Sequence, residues 1–273
     1  MAAEWLTSSV SISARSGADI LPFDPFGDFE TEGYLRNTQG LTDPESVKHV
    51  EHSMFVANLD DAIGMLRARK VIDYGSFLEV HRILFEEFYP WAGQDRMTTA
   101  PKLYISKGDV RFAQASEVRM AVDWGLNLAS KNVLENCGTV MGQFALGHPF
   151  LDGNGRTIML VFGELCYRAG FGIAWEGTRK ADYLQALTQE LDDPRSAPLN
   201  AYLAPFITDR VPHAAYSRTL NELPGLSGME RFMDEGREVT GYTSDPAAKD
   251  AYEAYMAVRY AAMRVEEDET GKA

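Results

Sequence analysis

A nine-residue string joins two apolar helical patterns near the middle of the chain. Helical periodicity covers residues 133–146 and resumes over 156–169, and the string His-Pro-Phe-Leu-Asp-Gly-Asn-Gly-Arg occupies 148–156. Its two glycines permit positive φ angles and let a ligand approach the backbone closely. The sequence therefore predicts two helices joined by a loop, with the N-terminus of the second helix beside that loop.

Amphipathic spacing continues through most of the chain and predicts a mainly α fold. Asp43 and Pro44 form a typical helix start, and apolar residues follow at helical spacing. Residues 103–112 differ, because short apolar runs flank Lys-Gly-Asp there, which is typical of a small β-hairpin. Further helices are expected over 73–88, 116–128, 180–191 and 245–265.

The helical patterns divide the chain into three segments. Residues 1–40 are rich in Ser, Gly, Asp and Pro, which predicts an N-terminal lead-in without regular structure. Residues 41–210 hold the main helical domain. Residues 211–273 are expected to form a C-terminal helical extension.

The composition excludes several classes of partner. Hydrophobic residues make up 45% and charged residues 24%, as in ordinary globular proteins. The net charge of −14 repels phosphate backbones and anionic lipids, so neither nucleic acid nor a membrane is expected as a partner. With two cysteines, no basic and apolar leader and no apolar run of membrane-spanning length, the chain is expected to be cytoplasmic.

The loop between the two helices carries residues suited to phosphate chemistry. Gly153 and Gly155 open the backbone, and the helix that begins near Arg156 turns free N–H groups and its positive dipole end toward the same space. Arg156 offers donors matched to phosphate oxygens, and Asp152 offers a hard oxygen ligand for Mg²⁺. His148 is able to accept a proton from a hydroxyl at neutral pH.

The string resembles the signature of the Fic family, H-x-F-x-(D/E)-G-N-G-R-x-x-R, in its first nine positions. The likeness extends to residues 81–96, to 103–113, which resemble the family's β-hairpin flap, and to 170–173 and 181–187, which resemble its closing helices. It covers residues 40–205 and implies a Fic-fold helical bundle with a small β-hairpin flap.

The resemblance implies a protein adenylyltransferase, or AMPylator, which moves AMP from Mg-ATP onto a Ser, Thr or Tyr hydroxyl of a target protein. His148 would be the general base, Arg156 would neutralise developing charge, and Asp152 would hold the Mg²⁺. In-line attack at the α-phosphorus then releases pyrophosphate. The phosphates of ATP would be bound by Gly153, Asn154, Gly155 and Arg156.

The flap is the part that the resemblance assigns to target binding. Its strand would pair with an extended target segment, so that main-chain hydrogen bonds give affinity for many sequences. The residues expected to take part are Ile105, Ser106, Lys107, Gly108 and Asp109.

Two departures from the family pattern concern the donor and its control. The signature's last arginine, which the family directs at the terminal phosphate of ATP, is Met159 here. No Ser or Thr is followed four residues later by Glu, as the family's inhibitory helix requires, so self-inhibition of the usual kind is not expected. A separate antitoxin or inhibitor remains open as a partner, and so does a toxin-like role in another cell.

Other functions fit parts of the pattern. Met159 leaves open the transfer of another diphosphate-derived group, such as UMP, phosphocholine or phosphate. Gly155 favours nucleotidyl transfer over the kinase-like branch of the family, which carries Lys at that position. A non-catalytic nucleotide-binding module is the remaining alternative, and the joint presence of the loop's polar residues argues against it.

Glu51 lies between His49 and His52, but the spacing is not a His-Glu-x-x-His metal motif, and a solvated helix face is expected. The other prominent residues have structural interpretations. Phe85, Trp91 and Phe150 are expected in the core, Asp95 and Arg96 as a structural pair, and His81 and His213 as structural or surface groups.

Overall fold

The computed structural model of this chain describes residues 25–26, 35–107, 110–223, 226 and 240–270, with side chains up to residue 261 except that of Thr240. Most of the predicted lead-in lies outside the described residues, as do Gly108 and Asp109 of the predicted flap. The first described helix begins directly after that lead-in.

The first two helices begin where the sequence predicts. In α1 (Pro44–Ala68) the Asp43 side chain accepts a hydrogen bond from the Ser46 amide at 2.8 Å, and Pro44 takes the first helical position, where an N–H is not needed. Helix α2 (Tyr74–Phe85) begins with a reciprocal cap, because Asp73 and Ser76 each bind the other's backbone. Both predicted helix starts are confirmed.

Further helices follow along the described chain, and those predicted over 116–128, 133–146, 156–169, 180–191 and 245–265 are all present. Three short helices lie where the periodicity predicts none, since a few turns of helix show little periodicity. In chain order the helices are α3 (Arg96–Thr99), α4 (Val118–Asn132), α5 (Cys137–Gly147), α6 (Asn154–Ala169), α7 (Lys180–Asp192), α8 (Pro198–Leu203), α9 (His213–Glu222) and α10 (Pro246–Thr270).

The core lies where α5 and α6 pack among α1, α2 and α4. Phe77 of α2 and Phe144 of α5 have no exposed surface, and their rings meet edge to face with centroids 4.8 Å apart. Helix α5 is buried on almost every side, which accounts for its nearly continuous apolar sequence. The prediction of a mainly α fold is confirmed.

Short strands accompany the helices. The predicted hairpin is present as β1 (Tyr104–Lys107) and β2 (Val110–Arg111). The expectation that residues 170–173 belong to a closing helix is wrong, because Gly170 ends α6 with a φ of 94° and the chain then extends as β3 (Phe171–Ile173), antiparallel to β4 (Ile207–Asp209).

A third strand adds to the hairpin from the C-terminal segment. Strand β5 (Thr240–Thr243) pairs antiparallel with β1, so the sheet order is β2–β1–β5. The segment also packs on the helices, since Leu220 of α9 has no exposed surface. The division into residues 41–210 and 211–273 remains a prediction. None of the helices in the described ranges combines the length and hydrophobicity needed to cross a bilayer.

Candidate active site

The motif loop (residues 148–153) links α5 to α6 through two residues in the left-handed conformation. His148 ends α5 with φ 42° and ψ 60°, and Gly153 precedes α6 with φ 74°. A β-carbon on Gly153 would lie 2.5 Å from Cε2 of Phe85, so both the backbone conformation and the available space require glycine. At His148, a non-glycine residue in this conformation is strained, so its neighbours must hold it there.

The first turn of α6 has amide groups without an intrahelical acceptor. Its first intrahelical bond runs from Thr157 N–H to the Gly153 carbonyl at 3.1 Å, so the amides before Thr157 are not used inside the helix. Gly155 is exposed, and a β-carbon there would meet nothing within 4 Å. This end of α6 is open to an anion, which the helix dipole would favour.

The Asn154 side chain shapes the loop. It is buried, its Oδ1 accepts from the Phe150 amide, and its Nδ2 donates to the Phe150 carbonyl, each at 2.8 Å. Both of its polar atoms are thereby engaged, so only the backbone amide of Asn154 is placed for the predicted phosphate contact. Phe150 itself has no exposed surface and is confirmed as a core residue.

Asp152 is the accessible carboxylate of the site. Its side chain is 31% exposed, its Oδ1 accepts from the Gly153 amide at 2.7 Å, and its Oδ2 is ion-paired with Lys48 of α1. Among the described residues, no group of three or more His, Cys, Asp and Glu side chains is placed to hold a metal ion. A single accessible carboxylate beside an anion site nevertheless suits Mg²⁺, which takes most of its ligands from phosphate oxygens and water.

Arg156 lies in a buried ion pair that the sequence analysis did not predict. Its guanidinium is paired with Glu51 of α1, lies 3.8 Å from Asp152 Oδ1, and stacks 4.8 Å from the centroid of the Phe85 ring. Burial lowers the pKa of Arg156 to about 9, which leaves it charged at neutral pH. The arginine that was expected to bind phosphate is therefore already paired with a carboxylate.

The expectation that Glu51 lies on a solvated helix face is wrong. Glu51 has no exposed surface, and its Oε2 accepts from Lys48 Nζ and from the Tyr89 hydroxyl, each at 2.7 Å. Its position could have been inferred, because it falls in a row of buried residues at i, i+4 spacing: Val47, Glu51, Phe55 and Leu59.

The same contact bears on the expected lack of an inhibitory glutamate. The sequence pattern fails because Val47 stands where the family has Ser or Thr, yet Glu51 does contact the motif. It pairs with Arg156 rather than with position 159. Met159 is buried in the core, and its carbonyl accepts from the Tyr216 hydroxyl at 2.5 Å.

His148 is held by the flap and by Arg96. Its ring stacks on Phe112 with centroids 3.9 Å apart, and its carbonyl accepts from Arg96 Nε at 2.6 Å. Burial lowers the pKa of His148 to about 3, the charges of Arg96 and Lys107 act in the same direction, and Asp152 opposes them. The imidazole is therefore neutral at neutral pH and has a lone pair available for a proton.

Arg96 organises the loop, and the expected structural pair with Asp95 is wrong. Arg96 has no exposed surface, and its Nη2 donates to the carbonyls of Ala113 and Gly147 at 2.6 and 3.1 Å. Asp95 instead accepts from the Thr98 amide and from the Tyr74 hydroxyl. The buried Arg96 side chain thus donates to three carbonyl groups, and these hydrogen bonds connect the flap to the end of α5.

His81 fixes the other side of the motif loop. Its Nδ1 accepts from the Gly93 amide at 2.9 Å, so its Nε2 carries the proton and donates to the Asp152 carbonyl at 3.0 Å. Burial lowers the pKa of His81 to about 3, and the ring stacks on Phe150. The sequence indicates a structural or surface role for His81, and these contacts show that the role is structural.

The flap lies beside the loop. Ile105 is buried, Ser106 and Lys107 are partly exposed, and the Phe112 amide donates to the Ile105 carbonyl at 3.1 Å. On the other edge of β1, Tyr242 of β5 donates its hydroxyl hydrogen to the Leu151 carbonyl at 2.5 Å. The structure therefore brings the motif loop, the flap and the C-terminal segment together at one place.

Comparison with known proteins defines the class. A sequence model described as the Fic/DOC family matches residues 71–166, which include the flap and the motif loop. This match confirms, over these residues, the resemblance to the Fic/DOC family found in the sequence.

Two relatives carry the name of the activity that the resemblance implies, protein adenylyltransferase. The protein adenylyltransferase VbhT of Bartonella schoenbuchensis is 26% identical over 200 residues, which are 68% of this chain and 40% of VbhT. The probable protein adenylyltransferase y4lH of Sinorhizobium fredii is 24% identical over 200 residues, which are 68% of this chain and 90% of that protein. The chain thus spans less than half the length of VbhT.

Solved structures show the same fold. The N-terminal Fic domain of a VirB-translocated effector from Bartonella quintana, with bound ADP, superposes with a TM-score of 0.56 at 18% identity and covers 67% of this chain and 94% of its own. The BepC protein of Bartonella tribocorum, with bound AMPPNP, gives a TM-score of 0.55 at 18% identity and covers 65% and 93%. At these identities the likeness establishes the helical Fic fold.

Proposed function

We propose that this chain is a protein adenylyltransferase that moves AMP from Mg-ATP onto a hydroxyl side chain of a target protein. The observation that carries the proposal is the neutral His148 imidazole, held by Phe112 and Arg96 beside the open N-terminus of α6. A base and an anion site then meet in one loop. The relatives named above support the same activity.

In the proposed reaction the target's hydroxyl oxygen attacks the α-phosphorus of ATP. The hydroxyl proton passes to His148, and the bond between the α-phosphorus and the bridging oxygen breaks, so that pyrophosphate leaves with the electron pair. The amides of Asn154, Gly155 and Arg156 bind phosphate oxygens, and the Arg156 side chain, which is paired with Glu51, would neutralise developing charge. Mg²⁺ held by Asp152 would neutralise phosphate charge when bound.

The identity of the diphosphate donor depends on position 159. Met159 is buried and uncharged, so position 159 supplies no cation to a terminal phosphate. Another diphosphate donor, yielding UMP, phosphocholine or phosphate, is the second candidate for that reason. The proposed partners are the target protein that receives AMP and a separate antitoxin.

The test compares the full chain with His148→Ala. Each is incubated with α-labelled ATP, UTP, GTP or CTP, Mg²⁺ and a cell lysate, and labelled proteins are separated on a gel. We expect label from ATP alone and a loss of about 10²- to 10⁴-fold in the variant. His49→Ala is the matched control, because that histidine is exposed on α1.

Label from another nucleotide would assign a different donor. Equal labelling by His148→Ala, in a protein that remains folded, would remove His148 as the base. Nucleotide that binds without any transfer would favour the non-catalytic module.

A further inference from the structure

Strand β5 lies along the whole of β1. Its four residues pair in register with Tyr104, Ile105, Ser106 and Lys107, and Tyr242 is opposite Ile105. Because β2 pairs with the other side of β1, both edges of β1 are occupied by this chain. A target segment that added to β1 would need the place that β5 holds.

The backbone of β5 pairs with β1, and the side chain of Tyr242 adds further contacts. Gly241 and Thr243 are exposed, whereas Tyr242 is partly buried and packs edge to face against Phe26 with centroids 5.3 Å apart. The Tyr242 hydroxyl bonds to Leu151, next to Asp152. Of the side chains of β5 that the structure describes, only that of Tyr242 is partly buried, so exchange for another strand would cost chiefly the contacts of Tyr242.

The segment after β5 is anchored separately. Tyr252 of α10 is buried and its hydroxyl accepts from the Gln114 amide at 3.2 Å, and Arg259 is buried with its Nη1 on the carbonyls of Glu190 and Leu191. The helix can therefore stay in place while the four-residue strand leaves.

We propose that residues 240–243 are a built-in competitor for the target: they occupy the docking edge of β1, and a target strand binds by displacing them. The proposal rests on the function proposed above, in which β1 receives the target. It also sets a register, since the target residue opposite Ile105 takes the place of Tyr242, beside the motif loop. The competitor raises the affinity that a target needs, and so it restricts the choice of target.

The first test uses a fluorescent peptide with the sequence of residues 238–245, Glu-Val-Thr-Gly-Tyr-Thr-Ser-Asp, added to the full chain without nucleotide. Tyr242→Ala removes the strand's anchor, and we expect it to bind the peptide about tenfold more tightly than the native chain, as measured by anisotropy. Tyr255→Phe is the matched control, because it removes a tyrosine hydroxyl that bonds to the Leu191 carbonyl away from the flap. A peptide with proline in place of its glycine should not bind.

The second test uses a disulfide to hold β5 on the docking edge of β1 reversibly, in the Tyr242→Ala chain. A β-carbon on Gly241 would lie 3.3 Å from Ser106 Oγ, so Ser106→Cys with Gly241→Cys brings two cysteine side chains close enough to form a disulfide. Cys137 and Cys166 are buried and do not compete. We expect the oxidised form to lose peptide binding and a reductant to restore it, with circular dichroism confirming the fold of both.

Equal peptide binding by the oxidised and reduced forms would overturn the proposal, and so would equal binding by Tyr242→Ala and the native chain. Peptide binding needs neither ATP nor His148. A chain that binds the peptide as expected yet transfers no AMP to any lysate protein would therefore contradict the proposed reaction and leave the docking edge intact.

Discussion

At the scale of single residues, four charged side chains at the motif loop form ion pairs with one another. Glu51 pairs with Arg156 and Lys48, and Asp152 pairs with Lys48 as well. Burying one of these charges alone would cost several kcal/mol, whereas the alternation of signs keeps the cluster stable. A phosphate that bound Arg156 would have to compete with the Glu51 carboxylate.

Glu51→Gln should tighten ATP binding and weaken the fold. Without the carboxylate, Arg156 is free for phosphate, and we expect the Kd for ATP to fall about tenfold. Because Arg156 then lacks its partner, the free energy of unfolding should drop by about 3 kcal/mol. Calorimetric titration and chemical denaturation measure the two effects, with Glu45→Gln, exposed on the same helix, as the control. Weaker ATP binding would instead mean that Glu51 orients Arg156 for the nucleotide.

The pH profile should show no step at the ordinary histidine pKa. Burial holds the pKa of His148 near 3, so the base stays unprotonated and the rate of AMP transfer should change little from about pH 8 to about pH 5. The unfolded chain takes up protons near pH 6.5, so the stability contributed by His81 and His148 falls as the pH drops from about 6.5 toward 3.

The single-turnover rate of AMP transfer and the temperature of thermal unfolding, measured over the same pH series, test the two effects separately. A tenfold loss of transfer between about pH 7.5 and 5.5, with unfolding unchanged, would place the pKa of the base near its ordinary value.

At the scale of elements, the motif loop is positioned from three directions. His81 of α2 binds the Asp152 carbonyl, Arg96 of α3 binds the His148 carbonyl, and Phe112 after β2 stacks on the His148 ring. These contacts hold the strained backbone at His148 in place, as the proposed role of His148 as a general base requires.

Two glycines of the loop should respond differently to alanine. Gly153→Ala places a methyl group against Phe85 at a positive φ, and we expect it to lower the free energy of unfolding by more than about 1 kcal/mol. Gly155→Ala adds a helix-favouring residue in open space, so stability should hold or rise by up to about 1 kcal/mol. Urea denaturation compares the two variants, and equal midpoints would contradict the role of Gly153.

The sequence predicts elements whose signals are local. Capping residues and apolar periodicity locate α1, α2 and the helices on either side of the motif loop. Strands β3, β4 and β5 escape prediction because each is short and pairs with a segment distant in sequence. Glu51 and Arg96 were placed wrongly for a related reason: what decides their role is which buried groups surround them after folding, and a charge on a predicted helix does not show this.

At the scale of the whole molecule, the C-terminal segment contacts the flap, α7 and the turn before α4. Among the described side chains of α10, that of Arg259 is the most deeply buried, because the residue is 2% exposed, and it donates to main-chain carbonyls at the end of α7. The segment should therefore have a stability of its own, lower than that of the helical core.

Arg259→Ala should release this segment while the core stays folded. We expect hydrogen exchange of amides in 246–261 to become at least about tenfold faster, with little change in α5 and α6. Val258→Ala, at a neighbouring exposed position, is the control. Uniformly faster exchange across the chain would mean that the segment and the core unfold as one unit.

The pairing of β5 with β1 also has a consequence in time. During synthesis β1 leaves the ribosome long before residues 240–243 exist, and the helical domain around it is complete enough to begin folding in that interval. Until residues 240–243 emerge, the nascent protein carries an unpaired strand edge, the kind of surface that captures foreign strands. The emergence of residues 240–243 therefore marks the moment at which this edge is first covered.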